Sequence, residues 1–169
     1  MSGDVKSFIR VDHAGEYGAV RIYSGQLAVL GRTKHGPQLE HMLKQEEHHL
    51  KTFAGLIGER RGRPTALLPL WHVAGFALGA LTAAMGPEAA MACTVAVEET
   101  IDAHYAAQRD TLSDDEAPLR GTIEEFRVEE VEHRDIGLAN GAERAPGYKL
   151  LHGLIAAGCK AAIRLSEIV

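Results

Sequence analysis

The sequence predicts an all-α fold, and three observations carry that expectation. Apolar residues recur at intervals of three and four along most of the 169 residues. Alternation of β-branched residues, the mark of a strand, is nearly absent. Clusters of glycine, proline and charged residues punctuate the periodic runs and leave only short connections. Six helices and no strand follow, in the pattern of an antiparallel bundle with additions.

The first helix carries Val20, Tyr23, Leu27 and Leu30 on one face and stops at Gly31. The second is expected from about Pro37, a residue suited to the first helical turn, to near Gly58. ERRGRP breaks the chain, and residues 65 to 85 form the third. Gly86-Pro87-Glu88 ends that helix and starts the fourth, which runs toward Leu112. SDDEAP, 113 to 118, supplies a cap and an acidic first turn for a fifth helix reaching about Asn140. APGY turns the chain into a last, apolar helix from about Lys149 to Ile168.

Composition, with 46% apolar and 24% charged residues, is that of one globular domain over residues 1–169. A net charge of −5 gives no basic field for phosphates, so nucleic acid is not an expected partner. Cys93 and Cys159 stand far apart without a CxxC spacing, which argues against a disulfide scaffold, a zinc ribbon or a thioredoxin motif and favours a reducing compartment. The opening MSGDVKSFIRVDHAGEYG has no apolar signal core, and Asp4 and Asp12 do not suit a transit peptide, so a cytosolic start is expected.

Two Glu-x-x-His pairs occur, Glu46 with His49 and Glu130 with His133. Residues three apart share a helix face, so each pair can present a carboxylate and an imidazole to one point. With 16 Glu and 9 His, about one such pair is expected by accident. The order around them is more specific. Glu16 stands 30 residues before Glu46, and Glu98 stands 32 before Glu130, so the chain reads Glu, then Glu-x-x-His, twice. One Glu from each of two helices and Glu-x-x-His from each of two others is the ligand set of the ferritin-like di-iron and di-manganese carboxylate proteins. The fold expected is therefore a ferritin-like four-helix bundle with two additional apolar helices. Four carboxylates carry −4 and two ferrous ions +4, so a filled site would be neutral and could sit in an apolar core. Without metal the same carboxylates would be buried together at high cost.

The stretches RVDHAGEYGAVRIY (10 to 23), RPTALLPLWHVAGFALGA (63 to 80), ACTVAVEETIDAHY (92 to 105), EEVEHRDIGL (129 to 138) and AGCKAAIRLSE (157 to 167) resemble the demethoxyubiquinone hydroxylases of ubiquinone biosynthesis. The resemblance runs nearly the full length and includes uncharged stretches as well as the Glu and His positions. It implies a di-iron monooxygenase with two Fe ions per chain, held by Glu16, Glu46, His49, Glu98, Glu130 and His133. It further implies O2-dependent hydroxylation of the ring of a polyprenylated demethoxy-benzoquinol, with electrons from a reductant. The short stretch before RVDHAGE resembles the bacterial form.

Bland readings stand beside each choice. Glu47 and His48 are expected in solvent, since only Glu46 and His49 are three apart. Glu98 and Glu99 both have apolar residues one turn away, and the resemblance rather than the spacing favours Glu98. His13, His35, His41, His72 and His152 have no carboxylate at ligand spacing and suit surface or capping roles. Asp12, four before Glu16, and Asp102, four after Glu98, are candidates to brace a ligand imidazole, or ordinary surface neighbours. Tyr105, seven after Glu98, is on the same face and is either a neighbour of the site or a packed core tyrosine.

Residues 65 to 86 contain no Lys, Arg, Asp or Glu and are long enough to span a bilayer. Pro69, His72 and the small residues suit packing against other helices instead, while Arg60, Arg61 and Arg63 suit anionic headgroups. A helix lying on the membrane surface is expected, with a buried helix as the rival. The location that follows is peripheral, at the cytoplasmic face of the inner (cell) membrane, with the third and last helices as the entrance for a lipid quinol. A lipid-binding protein of the ubiquinone pathway is a further candidate partner. Two other functions compete: a ferritin-like iron or manganese protein of metal storage or peroxide removal, and a non-catalytic helical membrane adaptor. No HExxH or HxxEH accompanies either histidine, which sets zinc hydrolysis aside.

Overall fold

The computed structural model describes residues 5–169, so Asp4 lies outside the described residues. Six α-helices account for most of them: α1 Val5–Leu30, α2 Gly36–Glu59, α3 Leu68–Ala84, α4 Pro87–Thr111, α5 Ala117–Ala139 and α6 Tyr148–Ile168. Single 3-10 turns, Asp114–Glu116 and Ala142–Arg144, precede α5 and α6, and there is no strand among the described residues. Proline begins α2, α3, α4 and α5, where its missing N–H is no loss. Between α3 and α4 the chain reverses through Gly86 at φ +125°, backbone that an L side chain rarely adopts.

Helices α1, α2, α4 and α5 form the four-helix bundle, with α1 against α2, α4 against α5, and α1 and α4 in contact. The additional helices lie on the α1–α4 side, α3 mainly on α1 and α6 mainly on α4. Three layers result: α2 and α5, then α1 and α4, then α3 and α6. The middle layer is therefore covered on both sides, which explains the nearly unbroken burial of α4 from Ala89 to Glu98.

Glycine sets the spacing of α3 on α1. A Cβ at Gly79 would overlap the Ile22 carbonyl oxygen, and one at Gly25 the Phe76 carbonyl, so the two backbones approach only because these side chains are absent. Arg10 of α1 ties down the end of α6, donating to the Ser166 carbonyl at 3.1 Å and to that of Glu167 at 2.6 Å. Trp71 of α3 adds a hydrogen bond from its indole to Ser166 Oγ at 3.2 Å.

The charge-free segment is neither a span nor a buried helix. Among the described residues no helix is long and apolar enough to cross a membrane. In α3, Gly75, Gly79, Thr82 and Ala83 are buried, while Leu70, Val73 and Leu81, with Met85 just after the helix, are each more than half exposed. Leu150, Leu154 and Ile168 of α6 are exposed to a similar degree. The buried rival from the sequence is thereby corrected: α3 sets Gly75 and Gly79 against the bundle and turns Leu70, Val73 and Leu81 outward, while Trp71 and Leu78 line the cavity beside it.

Candidate metal centre

All four bundle helices send acidic side chains to one interior point. Glu16 comes from α1, Glu46 and His49 from α2, Glu98 from α4, and Glu130 and His133 from α5, and all six are essentially inaccessible to solvent. They form two overlapping groups, Glu16–Glu46–His49–Glu130 and Glu46–Glu98–Glu130–His133, each with its ligand-type atoms within 4.8 Å of one another. Glu46 and Glu130 belong to both. Each also lies nearer the other pair's imidazole than its own. His133 Nδ1 is 2.9 Å from Glu46 and 3.5 Å from Glu130, whereas His49 Nδ1 is 3.1 Å from Glu130 and 3.8 Å from Glu46.

The surrounding hydrogen bonds leave a defined set of atoms unused. Tyr105 donates to Glu16 Oε1, and Tyr23 donates to Glu98 Oε1 at 2.5 Å. The outward Nε2 of His49 meets Glu129 Oε2 at 2.6 Å, and that of His133 meets Gln45 Oε1 at 2.9 Å. Left without a hydrogen-bond partner are the second oxygens of Glu16 and Glu98, both oxygens of Glu46 and Glu130, and Nδ1 of both histidines. Buried polar atoms are rarely orphaned, and a concentration of them at one point calls for an ion. Carboxylate and imidazole donors of this kind suit first-row transition metals, so the residues fit a pair of divalent cations sharing two carboxylates.

Electrostatics without metal show what the cations would relieve. Burial, then the neighbouring Glu130, pushes the Glu46 and Glu98 carboxyls well above the usual range. Burial would also raise Glu130, but the facing His133 and His49 imidazoles hold it at about 2. Burial alone would lower His49; the Glu130 and Glu16 carboxylates outweigh it and push the imidazole up to about 12, and at His133 Glu130 and Glu98 likewise outweigh burial and raise it. Tyr23 and Tyr105 are raised well above their ordinary value, first by burial and then by the adjacent Glu98 and Glu16 respectively, which keeps both hydroxyls as neutral donors.

The remaining candidates separate cleanly. Glu99 is exposed and faces His152 at 2.8 Å, so burial picks Glu98 where spacing alone did not. Glu47 and His48 are exposed, as expected. His41 and His72 are at the surface, facing Glu132 at 3.7 Å and Tyr17 at 2.7 Å. His35 immediately precedes α2 but makes no side-chain cap. His13 is a correction: it is buried on α1, and burial lowers its pKa.

Asp12 and Asp102 are a second correction, since neither braces His49 or His133. Asp12 faces His104 at 3.3 Å and Asp102 faces Arg127 at 3.2 Å. Glu129 and Gln45 hold the imidazoles instead, each reaching across from the opposite helix. These two and Tyr23 were missed. Their signal was present: Gln45 and Glu129 each stand one residue before a motif glutamate, and Tyr23 follows Glu16 by seven as Tyr105 follows Glu98.

On the other side of the α1–α4 layer lies an apolar cavity of about 550 Å³, walled by α3 and α6. Its lining includes Gly15, beside Glu16, and Val97, beside Glu98. A Cβ at Gly15, Gly18 or Gly158 would meet nothing within 4 Å, so these glycines widen the cavity rather than permit a close helix contact.

Residues 4–166 match the family described as ubiquinone biosynthesis protein COQ7. The chain is 63% identical over 166 residues to the 3-demethoxyubiquinol 3-hydroxylase of Rhodospirillum rubrum, covering 98% of this chain and 78% of that protein. It is 57% identical over 167 residues to the human NADPH-dependent 3-demethoxyubiquinone 3-hydroxylase, covering 96% and 77%. It is 42% identical over 176 residues to the 5-demethoxyubiquinone hydroxylase of Saccharomyces cerevisiae, covering 94% and 76%.

Proposed function

The chain belongs to the COQ7 family of ubiquinone biosynthesis proteins, and from that premise we propose that it is a 3-demethoxyubiquinol 3-hydroxylase. In this reading, residues 1–169 form one ferritin-like di-iron domain that hydroxylates the ring of a polyprenylated demethoxy-benzoquinol with O2. The observation that carries it is the set of unpartnered buried atoms: one oxygen on each of Glu16 and Glu98, two on each of Glu46 and Glu130, and Nδ1 of His49 and His133. Glu46 and Glu130, which belong to both groups, would serve both cations, with Glu16 and His49 completing one group and Glu98 and His133 the other.

Two ferrous ions, when bound, supply the activation of O2 that no side chain here can perform. The protein's own residues set charge, geometry and access. Four carboxylates balance two divalent cations, so the filled centre is neutral inside an apolar bundle. Tyr105 and Tyr23 hold one oxygen each of Glu16 and Glu98 and leave the second free to hold a cation. The cavity between α3 and α6 takes the quinol, and its apolar lining keeps water from the reacting ring. Several relatives are named as NADPH-dependent, which supports a nicotinamide as the source of electrons.

A polyprenyl quinol resides in lipid, and the outward Leu70, Val73 and Leu81 of α3 with Leu150 and Leu154 of α6 suit a bilayer surface beside the cavity. The protein then works peripherally, at the cytoplasmic face of the inner membrane, with a lipid-binding partner as a further component. Arg60 takes no part in headgroup binding, because its guanidinium is committed to Glu116 through bonds of 2.7 and 2.6 Å. The cavity counts against a protein of metal storage or peroxide removal, which has no use for an apolar chamber of about 550 Å³.

The test is anaerobic reconstitution with ferrous iron followed by quinol turnover in air. Wild type should hold about two irons and form the hydroxylated quinol. Glu130→Ala and His133→Ala should lose or halve the iron, and Glu98→Ala should do so while Glu99→Ala should not. A folded wild type without iron overturns the reading; iron without quinol turnover moves storage or peroxide removal to first place.

A further inference from the structure

The centre is built on an approximate two-fold correspondence. Glu16 and Tyr23 of α1 correspond to Glu98 and Tyr105 of α4, seven residues apart in each case, and the α2 pair Glu46 and His49 corresponds to Glu130 and His133 of α5. The tyrosines obey it too, each donating to the glutamate on the other's helix. Among the polar groups bonded directly to the six site residues, the correspondence fails at one pair. His49 Nε2 meets the carboxylate of Glu129, whereas His133 Nε2 meets the amide oxygen of Gln45.

The difference bears on the metals because Nδ1 of each imidazole faces inward without a partner. To ligate through Nδ1, each ring must carry its proton on Nε2 and donate it outward. Glu129 accepts that N–H at 2.6 Å through a carboxylate oxygen, and Gln45 accepts its counterpart at 2.9 Å through an amide carbonyl. A carboxylate behind the ring makes Nδ1 a stronger donor and adds negative charge to that half of the site. Phe126, stacked on His49 with ring centroids 3.9 Å apart, fixes the ring plane without altering the charge. Glu129 is 30% exposed, so solvent screens part of its effect on the ring.

Resting on the di-metal reading above, we infer that the two metal positions are unequal and that the first divalent cation binds in the half holding His49 and Glu16. Glu129 is the positioning residue responsible. Replacing a group behind a ligand imidazole typically changes metal affinity by 10- to 100-fold, and the exposure of Glu129 places its effect near about tenfold.

The test is Mn²⁺ titration of the metal-stripped full chain, followed by electron paramagnetic resonance. Wild type should show the signal of an isolated ion at one equivalent, giving way to that of a coupled pair at two. Glu129→Gln should weaken the first step about tenfold, so that the coupled signal already appears at one equivalent. Gln45→Glu should merge the steps by strengthening the second, and the double variant should separate them again. Stepwise filling that survives Glu129→Gln, with two ions still bound, overturns the inference and leaves the di-metal reading standing. Failure of every variant and of wild type to bind Mn²⁺ overturns both.

Discussion

The Tyr23 hydroxyl on α1 donates a 2.5 Å hydrogen bond to Glu98 on α4, and this bond spans the heart of the bundle. Tyr105 returns the gesture from α4 to Glu16 on α1. The tyrosines therefore link the two helices of the middle layer while each consumes one oxygen of an outer glutamate. Replacing Tyr23 with Phe preserves the apolar ring and removes only the donor, leaving a buried carboxyl oxygen unsatisfied. A stability loss of about 1–3 kcal/mol is expected, with Tyr105→Phe matching it, and urea denaturation of metal-free protein measures both. A change within error of zero would show that the hydroxyls are packing bystanders.

Stability should respond to pH in opposite senses with and without metal. In the metal-free fold, Glu46 and Glu98 have raised pKa values against 4.5 unfolded, and His49 has about 12 against 6.5. The folded state thus binds more protons than the unfolded one from about pH 4.5 up toward the raised folded values, so its stability is greatest low in that range and falls as pH rises. Glu130, held at about 2, acts the other way, but its contribution is lost only below pH 4.5. Metal must displace protons from the same groups, so the loaded protein should gain stability as pH rises. Thermal melts at about pH 5.5 and 7.5, with and without divalent cation, check the crossing.

Calorimetry gives the same linkage directly. Metal binding should release protons from His49 and from the Glu46 and Glu98 carboxyls, so the apparent enthalpy must change between buffers of different ionisation enthalpy. Loading should also add about 4 kcal/mol of stability at a thousandfold excess over Kd, and so raise the melting temperature. Buffer-independent heats would mean that the carboxyls are already ionised in the metal-free protein.

How much of this was legible in the sequence depends on whether the signal ran along one helix. The six helices were legible because Gly31, Pro37, Gly86-Pro87 and Pro118 interrupt a three-and-four period. The Glu-x-x-His pairs were legible because both partners share one helical turn. Glu98 against Glu99 was not, since adjacent residues differ only in direction, and direction depends on what packs where. Glu129, Gln45 and Tyr23 act on side chains 75 to 88 positions away, a distance along the chain that no local period reports. Asp12 and Asp102 misled for the same reason: a four-residue spacing along one helix says nothing about which imidazole stands opposite. The cavity was equally hidden, because it is made of missing side chains on α1 and α6 rather than of any motif.

Those missing side chains supply the last prediction, which separates cavity from scaffold. Gly18 lies in α1 facing the cavity, and a Cβ there meets nothing within 4 Å. Gly18→Ala should therefore stabilise the helix by about 0.5–1 kcal/mol and leave metal content unchanged. Gly18→Leu should fold and bind metal as wild type does, yet lose quinol turnover, because its side chain fills the space the ring and tail require. Gly79→Ala is the contrasting case, since its Cβ would strike the Ile22 carbonyl and force α3 off α1. It should destabilise the protein outright, by about 1–3 kcal/mol. Melting curves, metal content and turnover on the three variants distinguish a substrate chamber from a packing flaw: normal turnover by Gly18→Leu would place the quinol elsewhere.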